Sequence, residues 1–426
     1  MKSKYTISDA YFVKGITHVL KTPFLALLFI TQGAWAFDFQ NNQHGVKSTA
    51  MGLAYTGMDN NVEVVWLNPA LMSSFTTKGI LETGVHARRE TAVFRYKEPS
   101  LYQASTDNPI TIAPYLYSIY SINTRFSLGL AINKAFSEQT KWQEENWAGR
   151  FILRQYSINS QVIQPALSAR ITDGLYLGVG VFFVNGQLDI QRALPVRDHN
   201  REGNLALKGT GRAVGVNTGL FYRYSDQLNF RINYKSSVKI SFQDNNPDVI
   251  SPASLSHFFP QDNTSQITIQ LPAILDISGG VEFTDRMKAA WYTNILFFND
   301  SKTVQARFSQ QSKYLNDFSI SRNRNSSIVA GLGISYQANN YLILRGGSYY
   351  EGRNTNKDFF APVAAGLQKL GLTGGVSFIP VSGLYLDLSL IYLNGLQKDN
   401  QNLPASFGGT YRSSALIPGF SVGYSF

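Results

Sequence analysis

The chain has 426 residues, with 38 Lys and Arg against 28 Asp and Glu, and no cysteine. Aromatic residues make up 13% and charged residues only 15%, where about 25% charged is usual; this excludes a disordered protein, and the lack of cysteine excludes a disulfide framework, a thiol nucleophile, a Cys-based zinc site and a lipidated N-terminal Cys. No run reaches the roughly 18 apolar residues of a membrane-spanning helix, yet 35 Gly beside 23 Tyr and 28 Phe suit a large β structure with one wet and one apolar face.

Residues 1–36 read as a secretory signal. Lys2, Lys4, Lys14 and Lys21 are cationic, Phe24 to Ile30 is a short apolar run, and Ala34-Trp35-Ala36 is a small-x-small cleavage site. The run is too short for a spanning anchor. Charges beyond it are scattered, which favours solvated loops and a polar lumen over a nucleic-acid-binding patch.

Residues 37–78 do not alternate. They carry Gly45, Gly52, Gly57 and Asn68-Pro69-Ala70, with Met51, Leu53, Tyr55, Val62, Val64, Val65, Trp66 and Leu67 asking for burial. Pro69 fixes its own φ and restricts Asn68 to extended geometry. The segment is compact enough to fill something.

From residue 79 the side chains alternate. In 383–394, Leu384, Leu386, Leu388, Leu390 and Tyr392 face one way and Tyr385, Asp387 and Ser389 the other. A period of two with polar partners means a sheet with one apolar and one wet face. Fourteen segments behave so: 79–97, 109–123, 125–138, 151–171, 174–191, 205–225, 227–243, 266–285, 287–298, 326–338, 341–351, 371–379, 383–394 and 413–426. Their connections alternate between tight turns, as at Asn123-Thr124 and Asn339-Asn340, and long loops at 98–108, 139–150, 192–204, 244–265, 299–325, 352–370 and 395–412. An even strand number with short turns on one side and long loops on the other is the pattern of an outer-membrane barrel. The expected fold is all-β: a membrane β-barrel of about 14 antiparallel strands over 79–426, with 37–78 as an N-terminal hatch plugging a lumen that would otherwise leak. Several strands exceed the 9–11 residues needed to cross a bilayer, so the wall should rise above it.

Within this frame Arg231, Lys235 and Lys239 share one face of a strand. They should point into the lumen and pair with Asp59 or Glu63, because a charge on the lipid face at mid-membrane costs about 2–4 kcal/mol. Apolar residues in two loops, Leu255, Phe258 and Phe259 in 244–265 and Phe359 and Phe360 in 352–370, are candidate acceptors for a hydrophobic ligand. The last strand alternates to a terminal Phe426, which resembles the signal read by the barrel-assembly machinery. No catalytic, metal or cofactor residues stand out: His86, with Arg88, Arg89 and Glu90 nearby, has no serine nucleophile at a fixed spacing.

Met51-Gly52-Leu53-Ala54-Tyr55-Thr56-Gly57, then Trp66-Leu67-Asn68-Pro69-Ala70-Leu71 and Phe75, resemble the N-terminal hatch of the FadL family. Leu207-Lys208-Gly209, Tyr234 to Phe242 and Leu271-Pro272 resemble its barrel in type and order, so the likeness covers nearly the whole mature chain. The family's members are outer-membrane channels for long-chain fatty acids, with relatives such as TodX that admit aromatic hydrocarbons. The resemblance implies passive transport without cofactor. Ligand lands on the extracellular loops, enters a pocket, meets a hatch that shifts, and leaves sideways beside a kinked third strand. Asn68-Pro69-Ala70 is expected to form a gate packed against the third strand near Gly129, whose missing side chain permits close approach, and Phe37 and Phe39 are further candidate ligand contacts. At the top of the fifth strand, where the family carries basic residues, Gln187 and Asp189 stand instead, leaving Arg192 to meet a carboxylate; loop 192–204 is shorter than the family's groove-forming loop. The resemblance implies a monomer in the outer membrane of a Gram-negative bacterium, in contact with its lipids and lipopolysaccharide. Rival readings are a protein-secretion scaffold of the PorV kind, an aromatic-hydrocarbon transporter, an enzyme and a plain porin. Identifying what co-purifies would separate them.

Overall fold

The computed structural model describes residues 35–36, 43–57, 61–97, 99–143, 145–198, 201–244, 247–260, 262–298, 303–312, 315–321, 326–354, 362, 367–402 and 406–426. Residues 1–34 lie outside this set, as do the candidate residues Phe37, Phe39, Asp59, Phe359 and Phe360.

Fourteen antiparallel strands close on themselves: β1 Gly79–Arg95, β2 Thr111–Ser121, β3 Phe126–Asn133 resuming as Ser137–Lys141, β4 Gln155–Arg170, β5 Leu175–Asp198, β6 Arg201–Arg223, β7 Leu228–Lys235 resuming as Val238–Asp244, β8 Ser265–Leu271 and Ala273–Thr284, β9 Met287–Phe297 resuming as Thr303–Phe308, β10 Ser327–Asn339, β11 Leu342–Glu351, β12 Lys369–Phe378, β13 Leu384–Asn402 and β14 Phe407–Ser425. Each pairs with the next, and β14 closes on β1 from Ile80↔Ser425 to Arg95↔Thr410. Closure pairs every strand of the barrel with a neighbour on each side. Phe426 finishes the seam: its N–H and carbonyl exchange bonds with Gly79 (2.9 and 3.0 Å).

Alternation sets the two faces. On β4, Tyr156, Ile158, Val162 and Gln164 are buried while Ile163 and Leu167 are exposed; on β5, Phe182 and Val184 are buried while Leu177, Val179 and Phe183 are exposed. The exposed apolar band is the lipid-facing surface expected of such a wall.

Two expectations are corrected by the strands themselves. Most of the loops expected at 192–204 and 395–412 is strand: β5 and β6 pair on to Asp198 and Arg201, and β13 and β14 to Asn402 and Phe407. Above the apolar band the outward side chains need not be apolar, so polar sequence continues the ladder. The second concerns phase. β7 breaks at Ser236-Ser237, opposite Pro272 of β8, which has no N–H for the ladder; Lys235 pairs with Ile274 and Val238 with Leu271. Two residues, not one, separate the inward Lys235 from the inward Val238, so the period of two slips by one. Lys239 therefore points outward and is exposed, whereas Arg231 and Lys235 are buried inside.

Candidate functional site: a filled lumen beside a broken ladder

The described part of 43–76 lies inside the barrel. It holds two short helices, α1 (Val46–Ala50) and α2 (Val64–Leu67), and a 3-10 turn over Pro69–Ser74. Val46, Val62, Val64, Val65, Trp66, Ala70, Leu71 and Met72 are fully buried in one apolar cluster with inward wall residues such as Tyr117, Val162 and Phe182. Backbone groups inside a barrel must still find partners. Glu63 supplies them for α1, accepting from the N–H groups of Lys47 (2.8 Å) and Ser48 (3.1 Å), two of the orphan donors of a helix start. Burial, with Glu82 close by, pushes its carboxyl up. Lys47 crosses to the wall, 2.8 Å from Glu82 of β1 and 3.7 Å from Asp387 of β13. Burial alone would lower this ammonium; the two carboxylates outweigh it and hold it charged.

Over β10–β12 the segment meets the wall backbone to backbone. A Cβ on Gly333 would overlap the Met51 carbonyl, one on Gly331 the Gly52 carbonyl, and one on Gly347 would come within 2.5 Å of the Gly52 nitrogen. Gly52 itself has φ +64°, a conformation that favours glycine. Over β4–β7 the contact runs mostly through side chains. Gln164 donates to the Val65 carbonyl (2.6 Å), Asn217 to that of Trp66 (2.9 Å) and Asn229 to that of Thr56 (2.9 Å). Arg231 donates to the Tyr55 carbonyl and lies over its ring at 4.1 Å; Lys235 donates to the Leu67 carbonyl (3.4 Å) and lies over Trp66 at 5.1 Å. The expected pairing of these cations with Glu63 is thus replaced by carbonyls and ring faces, since Glu63 is taken by α1.

Asn68 donates to the Leu220 carbonyl of β6 and the Ile232 carbonyl of β7, both at 3.2 Å, and accepts from Ala70 N–H at 3.1 Å. A Cβ at Gly219 would overlap the Asn68 amide, and one at Gly178 the Pro69-Ala70 backbone. Asn68-Pro69-Ala70 therefore packs on β5–β7, not on the third strand. Gly129 of β3 faces Met72 and Val65 instead, because the 3-10 turn carries the chain onward before it meets β3.

The wall is broken beside β3. From Leu116↔Ile132 to Ser121↔Ser127 the ladder with β2 is intact. Above it, residues 111–115 of β2 and 134–140 of β3 form no ladder pair with each other, and strand pairing resumes at the Thr106↔Trp142 bridge. Here β3 bends inward: consecutive Ala135 and Phe136 are both buried, and Ser160 of β4 pins the bend, donating to the Phe136 carbonyl (2.6 Å) while its Oγ accepts from the Phe136 N–H (3.1 Å). The dent left outside is a cavity of about 600 Å³ lined by Thr83, Pro114 to Leu116, Ile132 to Lys134, Asn159, Gln161, Asn185 and Gln187. Two of its residues reach inside. Tyr115 donates to Glu82 (3.0 Å) and accepts from Val46 N–H (3.2 Å); Asn133 donates to Tyr117 (3.2 Å), which donates to the His44 carbonyl. The break and the inner segment are thus bonded to each other.

Of the other expected residues, Phe259 is buried in the main apolar cluster. Leu255 and Phe258 fall in a 3-10 turn, Ala253–Phe258, with their side chains outside the described set. Arg192 sits half-buried near the top of β5, on the inward phase of Leu188 and Ile190. Sequence reasoning missed Tyr115, Asn133, Gln164 and Asn217; their only signal was a polar or aromatic residue on the inward phase of a strand. Among the described residues no group of three or more His, Asp and Glu is placed to hold a metal ion.

A closed fourteen-stranded barrel with an apolar outer band and an occupied lumen is an outer-membrane barrel by construction. The family model described as "Outer membrane protein transport protein (OMPP1/FadL/TodX)" matches residues 27–426, and the chain belongs to that family. Outer membrane protein P1 of Haemophilus influenzae is 25% identical over 94% of this chain and 98% of its own. A long-chain fatty acid transport protein of Escherichia coli is 22% identical over 87% and 90%. Two solved structures share the fold: a FadL homologue from Pseudomonas aeruginosa (TM-score 0.77, 15% identity, 93% of this chain and 100% of that one) and the toluene transporter TodX of Pseudomonas putida (TM-score 0.72, 16% identity, 93% and 99%). The protein is an outer-membrane transporter of hydrophobic compounds in a Gram-negative bacterium.

Proposed function

We propose that this chain carries long-chain fatty acids or similar amphiphiles passively across the outer membrane, with 37–78 as hatch and the break between β2 and β3 as a side exit. Loops 244–265 and 352–370 take the role of acceptor. The observation that carries the reading is the bonded link between break and hatch, through Tyr115 to Val46 and through Asn133 and Tyr117 to His44. A shift of 43–47 would release both sides of the break at once. The physical rationale is dry passage. Each buried CH₂ is worth about 0.8 kcal/mol, so a long chain that leaves sideways into the bilayer never has to re-enter water.

The chain has no cysteine, so a pair introduced across the break is the sole thiol chemistry. Thr111 donates to Gln139 across it at 3.4 Å. Oxidised Thr111→Cys/Gln139→Cys protein should stop fatty-acid uptake, with reduction restoring it. Full uptake by the oxidised form sinks the side exit. Deleting 37–77 should leave a pore for small polar solutes; planar-bilayer recordings without added conductance would show that these residues are no plug.

A further inference from the structure

We infer that the outer face of the break carries a binding site for the anionic head of a long-chain carboxylate, so that the ligand served is charged at one end rather than an uncharged hydrocarbon. This rests on the side exit proposed above and names the chemistry at its mouth.

The outer wall changes character at this height. On β4 and β5 the outward residues nearer the short turns are apolar: Ile163, Leu167, Leu177, Val179 and Phe183, each more than 40% exposed. The next outward positions are four amides, in register as Gln161↔Asn185 and Asn159↔Gln187. All four line the cavity, whose other side is Pro114, Leu116 and Ile132. One end of the cavity therefore suits an acyl chain and the other a polar head. A boundary of this kind is where an amphiphile rests, tail in hydrocarbon and head at the interface.

Charge selects which head. Lys134 lines the cavity, and its ammonium donates to the Ile112 carbonyl across the break at 3.2 Å. It thus occupies the opening with a cation that a carboxylate can draw outward. Arg212 of β6 is exposed and stands directly opposite Asn185, where facing side chains lie about 5 Å apart. No Asp or Glu lines the cavity. Asp189, one outward position above Gln187, accepts from Gln155 (3.0 Å) and Gln191 (3.2 Å) and faces Lys208, so its charge is already answered. Amide N–H donors flanked by two cations satisfy a carboxylate's two oxygens; an alcohol oxygen or an aromatic face would meet the cations only as a neutral acceptor, a weaker contact than a charge-assisted one. A lipid phosphate shares this anionic chemistry. The single cation inside the cavity and the apolar wall beside it favour the singly charged carboxylate with one chain.

The test compares substrates on one protein. Cells or proteoliposomes carrying the full chain take up a long-chain fatty acid and the alcohol of equal length, for wild type, Lys134→Met, Lys134→Arg and Gln161→Leu/Asn185→Leu. Each variant is first checked for heat-modifiable mobility as a mark of a closed barrel. Because a charge-assisted hydrogen bond is lost for the acid alone, Lys134→Met should lower the acid-to-alcohol uptake ratio about tenfold, Lys134→Arg should restore it, and the double variant should lower it as well. An unchanged ratio in Lys134→Met overturns the site, as does an equal loss for acid and alcohol, which would make Lys134 a structural tie only. Repeating the assay in vesicles with phosphatidylglycerol separates the second source: inhibition by that lipid with no acid-to-alcohol discrimination assigns the shelf to membrane phosphate and overturns the carboxylate. Failure of the side exit itself has a different signature, since oxidised Thr111→Cys/Gln139→Cys protein would then carry both substrates.

Discussion

The inner segment meets the two sides of the barrel by different means. Across β10–β12, Met51 and Gly52 press backbone against Gly331, Gly333 and Gly347, and the neighbouring Lys47 is tied to Glu82 and Asp387. Across β4–β7 and the break, apart from one close backbone approach of Gly178 to Pro69-Ala70, the contact is made by amide and phenol side chains that can rotate away and re-bond. Backbone packed on backbone has no soft coordinate, whereas hydrogen bonds of about 1 kcal/mol each can be exchanged one at a time. The first side is a seat and the second a release surface. A hatch that moves should therefore swing about 47–53 and open toward β2–β5.

The largest test of this division is Lys47→Met. It leaves Glu82 and Asp387 buried beside each other without their cation, and breaking a buried pair costs about 3–5 kcal/mol. At a factor of ten per about 1.4 kcal/mol, amide exchange over 43–57 should quicken by two to three powers of ten, together with ion conductance in planar bilayers. Slow exchange in that variant would mean the seat does not depend on its ion pair.

Next in size is Gly333→Ala. Its Cβ would overlap the Met51 carbonyl, and neither backbone can give way cheaply; overpacking of this kind costs about 3 kcal/mol. The barrel should still assemble, because Gly333 lies within a complete ladder from β9 to β11, but with an open, conducting lumen. Wild-type conductance would show that the hatch is not seated there.

On the release side, Asn68→Ala removes two bonds to wall carbonyls and the cap on Ala70. The expected loss is about 2 kcal/mol, read as faster exchange over 61–76 with 47–53 unchanged. If both stretches loosen together, the hatch is one unit and the division between seat and release surface fails.

The strands and the buried hatch were legible from the sequence because each depends on local pattern: a period of two in 383–394, an apolar run from Val62 to Leu67. What stayed hidden depends on which neighbours are missing. Lys134, Ala135 and Phe136 read as continuing β3, since nothing local says that β2 withholds its ladder there or that Ser160 draws Phe136 inward. Lys239 read as a lumen charge for the same reason. The slip at Ser236-Ser237 is set by Pro272 on a strand some 35 residues away, and a slip of one position reverses every later side chain. The long upper strands were missed because polar outward residues above the membrane erase the apolar phase that marks a strand.

The smallest test uses the same substitution on the opposite side. Gly129→Ala places a Cβ against Met72 Sδ and Val65 Cγ2, as Gly333→Ala places one against a carbonyl. Both are Gly-to-Ala changes at inward positions, so chain entropy and strand propensity nearly cancel in the comparison. What differs is the object struck. A methionine thioether turns about three side-chain bonds and refills nearby space, so the cost should be about 1 kcal/mol, and the hatch should stay closed to ions. Because β3 carries one side of the break, the change is expected in the rate of hydrophobic uptake rather than in conductance. Side-by-side bilayer recordings and uptake assays on the two variants give the reading: a conducting Gly129→Ala barrel, or a silent Gly333→Ala one, would reverse the assignment of seat and release surface.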